Sequence, residues 1–199
     1  IKPGVSEKDL QLELDYYMLR NGATGLAFET ILAAGANGSM PHAVPSDNVI
    51  KEGDFVTMDF GAAHNGYCSD MTRTVAVGKI TEEQEKVYNL VLDAQLAAID
   101  AVRAGVPCNS IDKVARDMIY GAGYEGRFGH GLGHSLGLEI HENPRFSMLC
   151  SDITEVGTVM SVEPGIYLDG RFGVRIEDIV MITENGCEVI TKSEKKLIT

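Results

Sequence analysis

At 199 residues, with a net charge of -12 and a pI near 4.8, the chain is long enough to bury a sizeable core. That acidity argues against nucleic acid as a partner, because phosphate contacts need clustered Lys and Arg. A hydrophobic share of 44% beside 23% charged residues marks a soluble, globular composition, and no apolar run approaches membrane-spanning length.

Cys68, Cys108, Cys150 and Cys187 are scattered, without a CxxC pair. They read as reduced thiols of a cytoplasmic protein, not as a disulfide framework or zinc knuckle. The chain begins Ile-Lys-Pro-Gly, without Met or signal peptide, directly ahead of a helix signal. It is expected to be one domain over residues 1–199 and a piece of a longer protein.

Ser6-Glu-Lys-Asp9 is an N-cap with an acidic first turn. Leu10, Leu12, Leu14, Tyr17 and Met18 form the apolar face of the helix that follows, until Asn21-Gly22 stops it. Phe28 to Ala34 is strand-like and ends in Gly35-Ala-Asn-Gly38. The loop MPHAVPSDNVI then holds His42 between two prolines, whose fixed φ stiffens it. Alone, that histidine is a weak signal.

Lys51-Glu-Gly-Asp54 is a turn and Phe55 to Phe60 a strand, with Asp59 late in an apolar run. A carboxylate there is costly unless a cation or strong donors compensate it. Asn65-Gly66 predicts a hairpin, and the return strand from Tyr67 to Val77 carries Asp70. Antiparallel strands with an Asp on each can aim both carboxylates at one spot. Either acid alone would pass as a turn-edge carboxylate; the pair does so less readily.

Thr81-Glu-Glu-Gln84 is a capping box. It opens a long scaffold helix with Val87, Leu90, Val91, Ala94, Ala98, Ala101 and Val102 at helical spacing, ended by Gly105 and Pro107. A shorter helix runs from about Ser110 to Tyr120 and stops at Gly121-Ala-Gly123.

Next comes RFGHGLGHSLGLEIHE, Arg127 to Glu142, with His130, His134 and His141 among Gly129, Gly131, Gly133 and Gly137. Glycines at this density let backbone and ligand approach closely. Three imidazoles gathered there are raw material for a metal or acid–base site. Leu136, Leu138 and Ile140 alternate as in a strand.

The last third repeats the first half. Gly53-Asp-Phe-Val-Thr-Met-Asp59-Phe-Gly61 aligns without a gap on Gly157-Thr-Val-Met-Ser-Val-Glu163-Pro-Gly165. Each acid is followed by a hairpin signal, Asn65-Gly66 or Asp169-Gly170, and by a return strand bearing a second acid, Asp70 or Glu177. Two copies of one helix-plus-hairpin unit, related by an approximate two-fold, would bring four carboxylates to a central point. An ordinary acidic domain with surface carboxylates does not explain acids at matched offsets. Four carboxylates in a partly dry cleft cannot all stay ionised without counter-charge, which two divalent cations would supply. Four acids with one imidazole favour Mn²⁺, Co²⁺ or Fe²⁺ over a thiolate-style zinc site. Two such cations about 3.5–4 Å apart can hold and activate a hydroxide nucleophile.

Taken together, MDFG…SDMTRT, GHGLGH…GLEIHENP, SVEPGIY and RIEDIV resemble the pita-bread metallopeptidases, and within them aminopeptidase P and prolidase. The resemblance covers essentially the whole chain, with the motifs in the family's order. It implies an α+β fold: a pseudo-two-fold pair of helix-plus-hairpin units, with helices on the outer face of a curved, mostly antiparallel sheet and the metal centre on its concave side. Position by position, it makes Asp59 a chelating ligand of one metal and Asp70 and Glu177 bridges. His134 and Glu163 complete the ligand set of the second metal, with Mn²⁺ the expected ion and Co²⁺, Fe²⁺ or Zn²⁺ as alternatives. The complete ligand set argues against a metal-free relative such as creatinase.

The same resemblance puts His42 and His141 beside the scissile carbonyl, Arg175 near the substrate and His130 in the pocket wall. It makes Glu163 the proton shuttle and gives His64 and Cys68 no role. The implied reaction is hydrolysis of an N-terminal Xaa-Pro bond in a small peptide or dipeptide. The expected partners are a peptide with proline second and, in a homodimer, another copy of the chain. Methionine aminopeptidase is the runner-up, set apart by the arginine-acid arrangement of VRIED; a non-catalytic peptide-binding module is the reading from another class. Full-length Xaa-Pro members carry a further N-terminal domain that helps shape the cleft.

Overall fold

The computed structural model describes residues 1–197, and its first helix, α1 (Glu7–Arg20), starts at the predicted cap, where the Ser6 hydroxyl accepts from Asp9 N at 3.1 Å. The apolar face is narrower than predicted. Leu10, Leu14 and Met18, spaced by four, are wholly or partly buried, whereas Leu12 and Tyr17 are 64% and 66% exposed. A helix with a single sheet behind it buries one such stripe, and Leu12 and Tyr17 lie off it.

The chain continues through β1 (Gly25–Leu26), β2 (Ile31–Ala34), a short 3-10 turn (Gly35–Ser39), β3 (Phe55–Phe60), β4 (Ala62–His64), β5 (Tyr67–Cys68) and β6 (Met71–Ala76). Asn65 (φ 50) and Gly66 (φ 84) form the left-handed pair that closes the β4–β5 hairpin. The predicted return strand is interrupted, and Asp70 lies in the break between β5 and β6. The cause is a change of partner. β6 pairs with β3, but β5 pairs with β4, so the chain passes from one ladder to the other at Gly61 and crosses back at Ser69. A Cβ on Gly61 would sit 2.0 Å from Ser69 O, so only glycine permits the crossing.

The second half repeats the plan. After α2 (Glu82–Ala101) and α3 (Cys108–Gly121) come β7 (Gly133–Ser135), β8 (Glu142–Phe146), β9 (Val159–Val162), β10 (Gly165–Leu168), β11 (Phe172–Arg175), β12 (Asp178–Ile182) and β13 (Cys187–Val189). The Thr81–Gln84 capping box is formed, and α2 stops at Ala101, short of Gly105. Glu163 lies between β9 and β10, and Glu177 in the break between β11 and β12, the counterpart of the break that holds Asp70. The strand expected through Leu136, Leu138 and Ile140 does not form. Gly137 N donates to Glu139 O at 3.0 Å and Glu139 N to Glu142 Oε1 at 2.9 Å, closing a tight turn that leaves Leu138 67% exposed.

Every ladder among the described residues is antiparallel. The sheets are β2-β3-β6 and β13-β12-β9-β7-β8, with β10-β11 and β1-β4-β5 as smaller companions. The two larger sheets meet where Glu177 N donates to Thr72 O at 3.1 Å. α1 covers the Val56 and Met58 face of β3 through Leu10. The main core joins Val87, Tyr88 and Val91 of α2 and Ile111, Ala115 and Ile119 of α3 to Phe146, Met160, Val162 and Val180. Each large aliphatic group fully buried there contributes about 1.5–3 kcal/mol. Among the described residues, no helix is long and apolar enough to cross a membrane.

Candidate metal centre

Strand alternation turns Asp59 to the face of β3 opposite Val56 and Met58. There it and its ladder partner Ile31 line a cavity of about 420 Å³ at the junction of the two sheets. His42, Asp59, Asp70, His130, His134, His141, Glu163, Arg175 and Glu177 all line this one cavity; His64 and Cys68 lie outside it.

The floor is acidic and dry. Asp59, Asp70 and Glu177 each bring a carboxylate oxygen to within 4.8 Å of the others. Asp59 Oδ1, Asp70 Oδ1 and Glu177 Oε1 are buried with no hydrogen-bond partner among the described residues. Two of the second oxygens are better served: Arg175 donates to Asp59 Oδ2 at 2.5 Å, and the Thr72 hydroxyl to Glu177 Oε2 at 2.7 Å. Orphaned acceptors at this density are expensive unless a cation completes them.

His134 presents the matching donor. Its backbone N–H is tied to Ser161 Oγ at 2.9 Å, and Nδ1 bonds to Ser135 O at 3.1 Å, which sets Nδ1 as the protonated nitrogen. Burial holds the ring down to about 4, so it is neutral at pH 7. Its Nε2 lone pair lies 3.3 Å from Glu163 Oε1 and 3.6 Å from Asp70 Oδ2. Oxygen and imidazole acceptors facing one another at these distances make a mixed set that suits a divalent ion. Gly133, just before His134, has no room for a side chain, since its Cβ would lie 2.0 Å from Ser161 O. Here the glycine serves strand approach, not ligand approach.

The remaining residues divide into two groups. His42 is exposed at the cavity mouth, and His141 sets its ring edge-on to His134 at 4.5 Å between centroids. Arg175 and His130 are engaged by the protein. Arg175 also donates to Tyr167 Oη (2.8 Å), Thr72 Oγ1 (3.2 Å) and Pro41 O (3.2 Å), so it steadies Asp59 and leaves little to offer a substrate. His130 bonds to Gly131 O at 2.8 Å and Tyr167 Oη at 2.9 Å. Sequence reasoning gave no role to Thr72, Ser161, Tyr167 or Arg145, the last a further cavity-lining cation. Ladder position opposite Asp59 marks Thr72 once β3 is paired with β6, but nothing local links Tyr167 to Arg175 and His130.

Burial, then repulsion from Asp59 and Glu163, pushes Asp70 up to about 9. Burial and Asp59 take Glu163 to about 7, and burial with Asp70, Glu163 and Asp59 lifts Glu177 well above the carboxylate range. The metal-free folded protein therefore keeps protons that the unfolded chain, titrating near pH 4, has already released, so its stability falls as pH rises through that window. In chelator, Tm is expected to drop on the order of 5–10 °C between about pH 5 and about pH 9, and divalent metal to restore most of it at the higher pH. Equal chelated Tm values at both pH values would mean that these acids do not repel one another in the fold.

With this geometry in view, residues 1–184 match the model of Metallopeptidase family M24. The chain belongs to this metallopeptidase family and has its pita-bread fold. Over 198 residues it is 44% identical to the Xaa-Pro dipeptidase of Pyrococcus furiosus, covering 100% of this chain and 57% of that protein. It superposes on the solved Xaa-Pro dipeptidase from Bacillus anthracis with a TM-score of 0.98 and 48% identity, covering 100% of this chain and 56% of that one. It matches an X-Pro aminopeptidase from Thermotoga maritima with a TM-score of 0.97 and 42% identity, again covering 100% and 56%. The chain thus spans little more than half the length of these relatives. Membership in a metallopeptidase family implies divalent metal ions, and the orphaned carboxylate oxygens fit them.

Proposed function

We propose that this chain carries the catalytic centre of an Xaa-Pro peptidase, which hydrolyses the bond before a proline in second position of a dipeptide or short peptide. Asp59, Asp70, His134, Glu163 and Glu177 would hold two divalent ions, manganese being the best match to the donor set. The observation that carries this reading is the set of orphaned, buried carboxylate oxygens on the floor of a cavity walled by histidines. Preference for proline is supported by the names of the relatives and by no feature of the cavity.

When bound, the ions would polarise the scissile carbonyl and lower the pKa of the attacking water. Glu163 is the acid with freedom to move a proton from that water to the departing proline nitrogen. Its side chain keeps 16% exposure, whereas Glu177 is sealed at 1%. His42 and His141 stand on separate segments of the wall, where their ring N–H groups would meet charge developing on the carbonyl oxygen. Arg175 holds Asp59 in orientation through its hydrogen bond to Oδ2.

The test is hydrolysis of matched Xaa-Pro, Xaa-Pro-Xaa and Met-Ala-Xaa peptides by the chain loaded with Mn²⁺. Cleavage confined to Xaa-Pro bonds is expected, and turnover of the tripeptide would select an aminopeptidase over a dipeptidase. Cleavage of Met-Ala-Xaa would move the assignment to a methionine aminopeptidase. Neither cleavage nor stoichiometric metal would point to a peptide-binding module.

A further inference from the structure

We propose that Glu7, outside the cavity and in the first turn of α1, is the positioning residue for His42; this rests on reading His42 as a substrate-side group. A first-turn glutamate ordinarily reaches into solvent, where it complements the helix dipole. Glu7 is turned inward and is 0% exposed. Its Oε1 accepts from Ala34 N at 2.8 Å, Asn48 Nδ2 at 3.0 Å and Asn37 Nδ2 at 3.1 Å. Its Oε2 accepts from Ser46 Oγ at 2.7 Å, Ser46 N at 3.0 Å and Asn37 Nδ2 at 3.1 Å. Among the described residues, no Lys or Arg pairs with it.

Those donors come from both ends of one segment. Ala34 and Asn37 stand before His42, Ser46 and Asn48 after it, and the helix adds Glu7 N to Asn48 O (3.0 Å) and Lys8 N to Ser46 O (3.2 Å). Between them the loop is held by Met40 N to Asn37 O (3.1 Å), Gly170 N to Ser39 Oγ (3.1 Å), Ala43 N to Met40 O (3.2 Å) and Arg175 to Pro41 O (3.2 Å), and among the described residues none of these bonds reaches His42 itself. One carboxylate therefore draws together the two feet of the loop whose apex carries His42 to the cavity. Only an acceptor-only group with two oxygens suits this ring of donors. Glutamine keeps the volume but turns an NH₂ towards donors, and aspartate is one methylene too short. A displacement of about 1 Å in a positioned group can slow a reaction about 10²-fold, so the clamp bears on rate although it touches no substrate.

The experiment uses Mn²⁺-loaded Glu7→Gln, His42→Ala and the double variant, with amide hydrogen exchange, metal content and kcat and KM on the best-cleaved peptide. In Glu7→Gln, exchange across residues 35–48 is expected to rise about 10-fold or more while α2 and the metal content stay at the wild-type level. The expected fall in kcat is about 10–100-fold with KM little changed. The double variant should be no slower than His42→Ala alone, because a misplaced and an absent imidazole are equivalent. Multiplying losses, or unchanged exchange in the segment, would overturn the proposal. If the wild-type chain cleaves nothing, the functional reading fails, and exchange still decides whether Glu7 holds the loop. Should Glu7→Gln not fold, Ser46→Ala and Asn48→Ala each remove part of the clamp, and the same local rise in exchange is required of them.

Discussion

Asp70→Asn is expected to strip the chain of stoichiometric metal and to lower any Xaa-Pro cleavage at least about 10³-fold, yet to raise the Tm of the metal-free protein. The two effects share one cause. Asp70 is 8% exposed, its Oδ1 has no partner among the described residues, and it stands with Asp59 and Glu177 in one cluster. In the proposed metal site, that charge density would supply the binding energy for the cations. Without them it is repulsion in a dry site, which is why burial and the neighbouring acids push Asp70 up to about 9. An amide keeps the shape and removes the charge, so the apoprotein should gain about 1–3 kcal/mol at neutral pH, or several degrees in Tm. Elemental analysis after dialysis and unfolding scans in chelator give the two readings. Full metal retention in the variant would remove Asp70 from the ligand set; a lower chelated Tm would mean that its carboxylate holds the fold together instead of straining it.

The second large effect lies behind the cavity wall. Asp112 (0% exposed) and Arg116 (6% exposed) form a buried pair on α3, through Nε to Oδ2 at 2.7 Å and Nη2 to Oδ1 at 2.8 Å. The pair reaches across to the histidine stretch: Arg116 donates to Phe128 O and His130 O, each at 2.8 Å, and Leu132 N donates to Asp112 Oδ1 at 3.0 Å. The guanidinium also stacks 4.2 Å above the Phe128 ring. Asp112→Ala would leave the guanidinium buried without its counter-charge, at a cost of about 3–5 kcal/mol and roughly 10 °C in Tm. Replacing both partners, Asp112→Ala with Arg116→Met, should recover much of that loss, because no lone charge stays buried. A single-variant cost below about 1 kcal/mol would mean that water reaches the pair. Metal content measured on the same proteins tests whether looseness at Leu132 carries through to His134.

Much of the site was legible because it is written at short range. Ser6 and Thr81 announce their helices through caps that need only a few neighbouring residues. Asn65-Gly66 announces its turn through its own φ preferences, and Asp59 stands out because a lone acid in an apolar strand is costly wherever the strand lies. The repeat of Gly53–Gly61 in Gly157–Gly165 revealed the two-fold without any coordinates, since two copies of one folding pattern leave two copies of its spacing.

What escaped was decided by partners far along the chain. Asp70 and Glu177 read as strand residues, but they occupy the breaks where strands exchange partners, and only the pairing of β3 with β6 and of β9 with β12 sets those breaks. Leu136, Leu138 and Ile140 alternate like a strand, yet a glycine turn at Gly137 takes their backbone bonds instead. Glu7 looks like any acidic first-turn residue until Asn37, Ser46 and Asn48 close around it. By itself, then, the sequence determined the elements, the duplicated plan and the kinds of donor available, because periodicity, caps and turns are local energies. The tertiary structure alone decided which oxygens were left without partners and which arginine would hold Asp59, because a carboxylate's burial and company depend on residues 105 and 116 positions away, as between Thr72 and Glu177 and between Asp59 and Arg175.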